Sequence, residues 1–217
     1  MQTFDFWNYE IHTTEKSDFD TEKGYYPWVQ DFFCCKQVHS KLVHEWNPDW
    51  QNETEGDGLY SNQKGIWLKV GVSDCNAVAV MGKERFGIVH AGRKGLQLGI
   101  IENLIDKLQA KGESDFKVFL WPAIRKCCYE VGAEFSERCE AQYLMPQANG
   151  KFHLDMLGMI QDRLKAFPCS EIHIHPECTK CGKHFFSYRR KDGINNFILI
   201  RKKQAWSSLS NLFVRHK

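Results

Sequence analysis

The sequence carries little net charge. Its 29 basic and 27 acidic side chains leave only +2 over 217 residues. A nucleic-acid binder ordinarily shows a basic excess or stripe, so nucleic acid is not an expected partner. The segment from Arg201 to Lys217 is locally basic, which a solvated strand or helix explains equally well. Long apolar runs are also missing. No stretch approaches the roughly 20 residues of a membrane span, and Met1 to Trp7 has neither a basic start nor an apolar signal core. A cytoplasmic protein with no membrane partner is expected. A disulfide framework is lacking as well. The nine cysteines are an odd number, and two pairs are vicinal, Cys34-Cys35 and Cys127-Cys128. Reduced thiols fit this better, with one or two of them functional.

What is present is a hydrophobic fraction of 42%, enough for a real core. The length suits one domain across residues 1–217. Residues 4–13 read as an opening strand, and a second strand-like run ends at Gln37-Val38-His39. Residues 45–58 read as a surface loop, and Ile66 to Val72 as a strand. Asn76–Met81 and Phe86–Val89 are apolar runs split by the polar turn Gly82-Lys83-Glu84-Arg85, the pattern of a hairpin. Leu96, Ile100, Ile101, Leu104, Ile105 and Leu108 fall at helical spacing and predict an amphipathic helix over 94–110. Lys117–Trp121 reads as a strand, and 133–144 and 153–167 as helices. Glu171–His175, His184–Arg189 and Asn196–Arg201 read as further strands. The expected fold is α/β, a single domain with a mixed β-sheet flanked by helices.

Cys75 enters the first strand of the predicted hairpin and His90 leaves the second, so antiparallel pairing would bring thiol and imidazole together. With His39 they form a two-imidazole, one-thiolate set that suits zinc and leaves a fourth position for water or substrate. Asp74 adjoins the thiol and would orient a ligand or take a proton. The spacings of 36 and 15 residues match no short zinc motif. On spacing alone, a buried cysteine with two hydrogen-bonded histidines is the better reading. A Cys–His nucleophile is a third. Ala91-Gly92-Arg93-Lys94-Gly95 leads into the predicted helix and reads as an anion site or an ordinary turn. Cys178 and Cys181 have zinc-knuckle spacing, but no second Cys-x-x-Cys exists. For want of partner ligands, no second metal site is expected.

These residues carry a resemblance to the YfiH-type laccase-domain family, whose members are described as polyphenol oxidases and as purine nucleoside phosphorylases. The matching pieces are Gln37-Val38-His39-Ser40, Gly56-Asp57-Gly58-Leu59, Ser73-Asp74-Cys75, Val89-His90-Ala91-Gly92 with Gly95, and Pro122-Ala123-Ile124. Cys127-Cys128-Tyr129-Glu130-Val131-Gly132, Cys178-Thr179 and Phe185 to Arg190 complete the set. They stand in family order over about residues 37–190.

The resemblance implies zinc held by His39, Cys75 and His90, with copper as the alternative metal. It implies phosphorolysis of adenosine, inosine, guanosine and methylthioadenosine, and deamination of adenosine, in a monomer that takes a purine nucleoside and phosphate. Asp74 and Cys75 become the candidate catalytic residues, and Gln37, Arg93, Lys94 and Arg189 the candidate substrate contacts. Four places depart from the family pattern. Thr13-Thr14-Glu15-Lys16 lacks the family's N-terminal arginine, and Arg93-Lys94 stands for Trp-Arg. Trp121 replaces a glycine before Pro122, and Asn195-Asn196 replaces Gly-Arg. Lys94 keeps the charge without a bidentate fork. The competing readings are a metal-free Cys–His hydrolase with Cys75 as nucleophile, copper-linked oxidation of phenols, and a metal-stabilised binding protein without activity.

Overall fold

The computed structural model describes residues 1–6 and 8–204. In chain order the elements are β1 (Gln2–Phe6), β2 (Tyr9–Thr13), β3 (Phe32–Phe33), β4 (Val43–Glu45), β5 (Gly58–Ser61), β6 (Trp67–Val72), β7 (Asn76–Met81) and β8 (Phe86–Ala91). There follow α1 (Arg93–Gln97), α2 (Ile100–Ala110), β9 (Phe116–Leu120), β10 (Glu130–Val131), β11 (Leu144–Pro146), β12 (Phe152–Leu154), α3 (Met156–Leu164), β13 (Cys169–Ile174) and β14 (Asn196–Lys202). The class is α/β, as expected, but the strands divide among three sheets. One runs β1-β2-β14-β6-β3, a second β13-β9-β7-β8-β5-β4, and a small third β10-β12-β11. The two large sheets are mixed: β3–β6, β4–β5 and β9–β13 pair parallel, and the rest antiparallel.

Strands β7 and β8 are buried along their whole length. Their unbroken apolar runs follow from being covered on both faces. Val78, Val80, Val89 and Ala91 face the helices α2 and α3. Ala77, Ala79, Met81, Phe86 and Ile88 face the five-stranded sheet, against Leu68, Val70, Ile198 and Ile200. Three layers result, with this hairpin at the centre.

Several elements differ from the sequence reading. The opening strand is a hairpin, β1 paired with β2. The helix predicted over 94–110 is two helices, broken at Gly99, whose φ of 83° is left-handed. The predicted helix over 133–144 is two 3₁₀ turns, Ala133–Glu137 and Ala141–Tyr143. That over 153–167 begins later. Asp155 caps it by accepting a 2.9 Å hydrogen bond from the Gly158 N–H, and Phe152–Leu154 pairs as β12 instead. Gln37–His39 and His184–Arg189 are not strands. Within the basic segment 201–217, Arg201 and Lys202 end β14, and residues 205–217 lie outside the described residues. Among the described residues, no helix is long and apolar enough to cross a membrane.

Candidate metal centre

Register brings the hairpin ends together. Ala77 pairs with His90 and Asn76 with Ala91, so Cys75, one residue before β7, sits beside the end of β8. His39 reaches the same point from the β3–β4 connection. One ligand atom each from His39, Cys75 and His90 lies within 4.8 Å of the others. His90 is buried, Cys75 is half-buried and His39 is exposed, so the group opens to one side. The rings of His39 and His90 meet edge to face at 4.7 Å.

Asp57, fully buried just before β5, organises this corner. Its carboxylate accepts from the backbone N–H of His39 (3.0 Å) and Ser40 (2.6 Å), and from the Ser40 hydroxyl (2.8 Å). It also accepts from His90 Nδ1 at 2.8 Å, which leaves Nε2 to face His39 and Cys75. Such a carboxylate–histidine pair fixes the ring and its tautomer. Burial opposes the charge on Asp57, but hydrogen bonds from His90 and Ser40 outweigh it and hold the carboxyl at about 2. Burial likewise works against the Cys75 thiolate, yet His39 and His90 bring its pKa down to about 7. His90 is pushed up to about 9, against burial, by Asp57 and then by Cys75. Thiolate and imidazolium thus favour each other, and a metal would take the place of their proton. The donor set, its spread and the ring held by Asp57 all fit a zinc or copper ion.

The backbone here is strained. His39 has φ 58° and Asp74 φ 78°, left-handed values at non-glycine residues. Gly92 packs closely on the site: a Cβ there would stand 3.1 Å from His90 Nε2 and 3.2 Å from His39 Cδ2, and the two rings would have to give by a few tenths of an ångström.

The candidate residues part company around this centre. Asp74 is buried, and its carboxylate already accepts from Thr179 Oγ1 (2.6 Å), Ser187 Oγ (3.0 Å) and the Arg189 N–H (2.7 Å). It ties loops together beside the thiol. Gln37 is engaged too: its amide bonds both the carbonyl (2.9 Å) and the N–H (2.8 Å) of Gly71. Gln37, Gly71, Ser73, Tyr188 and Asn195 line, with the three metal-type ligands, a cavity of about 730 Å³. That volume suits a small organic ligand. Tyr188 stands 75% exposed at its rim. A neighbouring cavity of about 480 Å³ is lined by Arg93, Lys151 and Arg189, by the carboxylates Glu130 and Glu134, and by Tyr129 and Phe135, among others. Arg93 lies 5.1 Å over Phe135, and Arg189 5.2 Å over Tyr129. Tyr129 is pushed up by burial and then by Cys75, with Arg93 and Arg189 opposing. Tyr129 lines this second cavity. Lys94 is exposed and lines neither.

Sequence reasoning assigned no role to Asp57 or Tyr129, although both lie in the matching segments. By spacing alone, Cys178 and Cys181 lack partners. The structure supplies them: the thiols of Cys127 and Cys128 join those of Cys178 and Cys181, all within 4.8 Å of one another. A vicinal pair escapes a search for Cys-x-x-Cys. His173 and His175 belong instead to an aromatic cluster, with His173 stacked on Phe119 and His175 edge-on to Phe185.

The profile of a family described as multi-copper polyphenol oxidoreductase laccase matches residues 22–197. Among similar proteins, a purine nucleoside phosphorylase of Aquifex aeolicus is 35% identical over 136 residues, 63% of this chain and 65% of that protein, so the match spans just under two thirds of the relative. A purine nucleoside phosphorylase of Clostridium acetobutylicum is 29% identical over 90% of this chain and 87% of its own. Two solved structures share the fold. YlmD from Geobacillus stearothermophilus has a TM-score of 0.75 at 23% identity, over 92% of this chain and 93% of its own. YfiH from Bacillus licheniformis has a TM-score of 0.72 at 24% identity, over 80% and 74%.

Proposed function

This chain belongs to the multi-copper polyphenol oxidoreductase laccase family, and from that premise we propose a zinc-dependent purine nucleoside phosphorylase that also deaminates adenosine. Its substrates would be adenosine, inosine, guanosine and methylthioadenosine, taken up by one laccase-type domain. The observation that carries the reading is the pairing of an open-sided His₂Cys group with an arginine-lined cavity next to it. Relatives named purine nucleoside phosphorylase support the substrate class.

His39, Cys75 and His90 would hold the metal. When bound, it supplies Lewis acidity toward an oxygen or nitrogen of the substrate. The larger cavity takes the nucleoside, with Tyr188 at the rim placed to cover the base. Arg93 and Arg189 hold phosphate as planar, bidentate donors. In phosphorolysis a phosphate oxygen bonds to the anomeric carbon, the carbon–nitrogen bond to the purine breaks, and the purine takes up a proton. In deamination a water oxygen bonds to the purine carbon that carries the amine, the carbon–nitrogen bond breaks and ammonia leaves, with no phosphate needed. Tyr129, which lines the arginine cavity, orients the phosphate there. Asp74 and Gln37, with their polar atoms occupied, position the Cys75 and His39 loops.

The test is a nucleoside panel with and without phosphate, using zinc-loaded protein, the chelated protein and Cys75→Ala. Base release that requires phosphate, and is lost with zinc and in Cys75→Ala, is expected. Arg93→Ala should lower phosphorolysis about ten- to a hundredfold, from losing one charge-assisted contact of about 1.5–3 kcal/mol, and should spare deamination. A panel with no turnover in loaded protein would leave the non-enzymatic binding reading standing.

A second reading has its own observation: the chain Asp57–His90–Cys75, in which a carboxylate orients an imidazole beside a thiol of lowered pKa. That is the arrangement of a cysteine nucleophile. Turnover that survives chelation and is abolished by iodoacetamide would favour it over the metal-dependent reading.

A further inference from the structure

We propose that Cys127, Cys128, Cys178 and Cys181 form a second metal centre, a closed tetrathiolate zinc site that pins the loop after β9 to the loop after β13. Structural zinc is four-coordinate and tetrahedral, with Zn–S near 2.3 Å, which sets sulfur–sulfur edges of about 3.8 Å. Cys127 Sγ lies 3.6 Å from Cys128 Sγ and 3.8 Å from Cys181 Sγ. All four sulfurs lie within 4.8 Å of one another. That spread fits one ion and not a multi-iron cluster. None of the nine cysteines is in a disulfide.

The surroundings of Cys178 suit a thiolate. The Arg125 N–H donates to Cys178 Sγ at 3.4 Å, and the N–H groups of Lys180 and Cys181 aim at the same sulfur. Donors converging on one sulfur favour its ionised form. Four thiolates around one zinc leave a net charge of −2, and cations flank the ligands in sequence: Arg125 and Lys126 before Cys127-Cys128, Lys180 and Lys183 around Cys181.

The Arg190 guanidinium braces the knuckle from the other side. It donates to the carbonyls of Thr179 (2.7 Å), Lys180 (2.7 Å) and Gly182 (3.1 Å). The loops also touch directly, through the Thr179 N–H to the Ala123 carbonyl at 3.2 Å. Thr179 then bonds Asp74, beside Cys75. Closing this site would therefore steady the segment that carries Tyr188 and Arg189.

Zinc per chain tests the proposal on protein purified with reductant, loaded with zinc and desalted. About two ions are expected in the wild type and in Cys34→Ser, one in Cys75→Ala, one in Cys181→Ser, and none in the double variant Cys75→Ala/Cys181→Ser. The Cys75→Ala background isolates this site, so its outcome is independent of the His39–Cys75–His90 reading. Should Cys181→Ser fail to fold, cobalt-loaded Cys75→Ala supplies the second measurement. Intense sulfur-to-cobalt charge transfer of a four-thiolate tetrahedral site is expected. Cys75→Ala without bound metal, metal content indifferent to Cys181→Ser in that background, or four of these cysteines found as disulfides in reduced protein would each overturn it.

Discussion

At the scale of single residues, the centre depends on a carboxylate that touches no substrate. Asp57 holds the His39 backbone and the His90 ring at once. Asp57→Asn keeps one acceptor oxygen but loses the charge that orients Nδ1–H. Zinc affinity, measured by competition with a chromophoric chelator, should fall about ten- to a hundredfold, the usual effect of losing such a partner. Cys75→Ala removes a ligand itself, and most metal at that centre should go with it. Because Cys75 is only half-buried at a strand end, the thermal midpoint in chelator should stay within about 4 °C of the wild type, a shift that corresponds to roughly 1–2 kcal/mol at most. Unfolding of the variant in chelator would mean that Cys75 is a core residue first. That Cys75 and His90 are neighbours was legible in the sequence, because a thiol and an imidazole at the two ends of a hairpin meet; nothing in the hairpin pattern brings His39 to them. Asp57 was not legible either. An aspartate before a four-residue strand looks like a loop residue until the fold carries it under His90.

At the scale of elements, hydrophobic period served well where an element is long and singly faced, and failed where backbone conformation intervenes. The apolar positions from Leu96 to Leu108 keep helical spacing across Gly99, so the sequence reads as one helix. Gly99 instead turns left-handed, which lets α1 deliver Arg93 to the arginine-lined cavity while α2 packs on the sheet. Gly99→Ala should cost about 1–2 kcal/mol, the penalty for a side chain in that region, and would appear as a lower urea midpoint with an unchanged slope. No loss would imply that the chain straightens into a single helix. Phe185 to Arg190 alternates like a strand because Phe185 and Ser187 are buried while Tyr188 is exposed. Two of the backbone N–H groups here donate to side chains, however: that of Ser187 to Asp192, and that of Arg189 to Asp74. No periodicity announces such a turn. Strands β4 and β5 were missed because they are short, at 3 and 4 residues.

At the scale of the molecule, the layers bury their hairpin and leave the chemistry to the loops at its ends, so loop anchorage decides whether the site holds together. Asp192 is one such anchor. Its carboxylate accepts from both Arg190 Nε and Nη2 and from the Ser187 N–H (2.9 Å), and pairs with Lys16 beyond β2 at 3.1 Å. Burial opposes its charge, but Arg190, then Ser187 and Lys16, outweigh that and hold the pKa at about 2, below the ordinary aspartate value of about 3.9. The folded pKa is the depressed one, so the folded state binds fewer protons than the unfolded chain. Its contribution is complete above about pH 4 and is lost as pH falls toward about 2. A shift of nearly two pKa units sets an upper limit of about 2.5 kcal/mol, reduced by partial exposure of the partners. Asp192→Asn should therefore lower stability at pH 7 by about 1–2 kcal/mol, and the gap from the wild type should close between about pH 4 and pH 2. Urea unfolding at pH 7, 5, 4 and 3 reads this directly. A gap that stays constant over that range would show that Asp192 acts through shape and not through charge. The loop carrying Tyr188 and Arg189 would then owe its place to Arg190 and the Asp74 contacts alone.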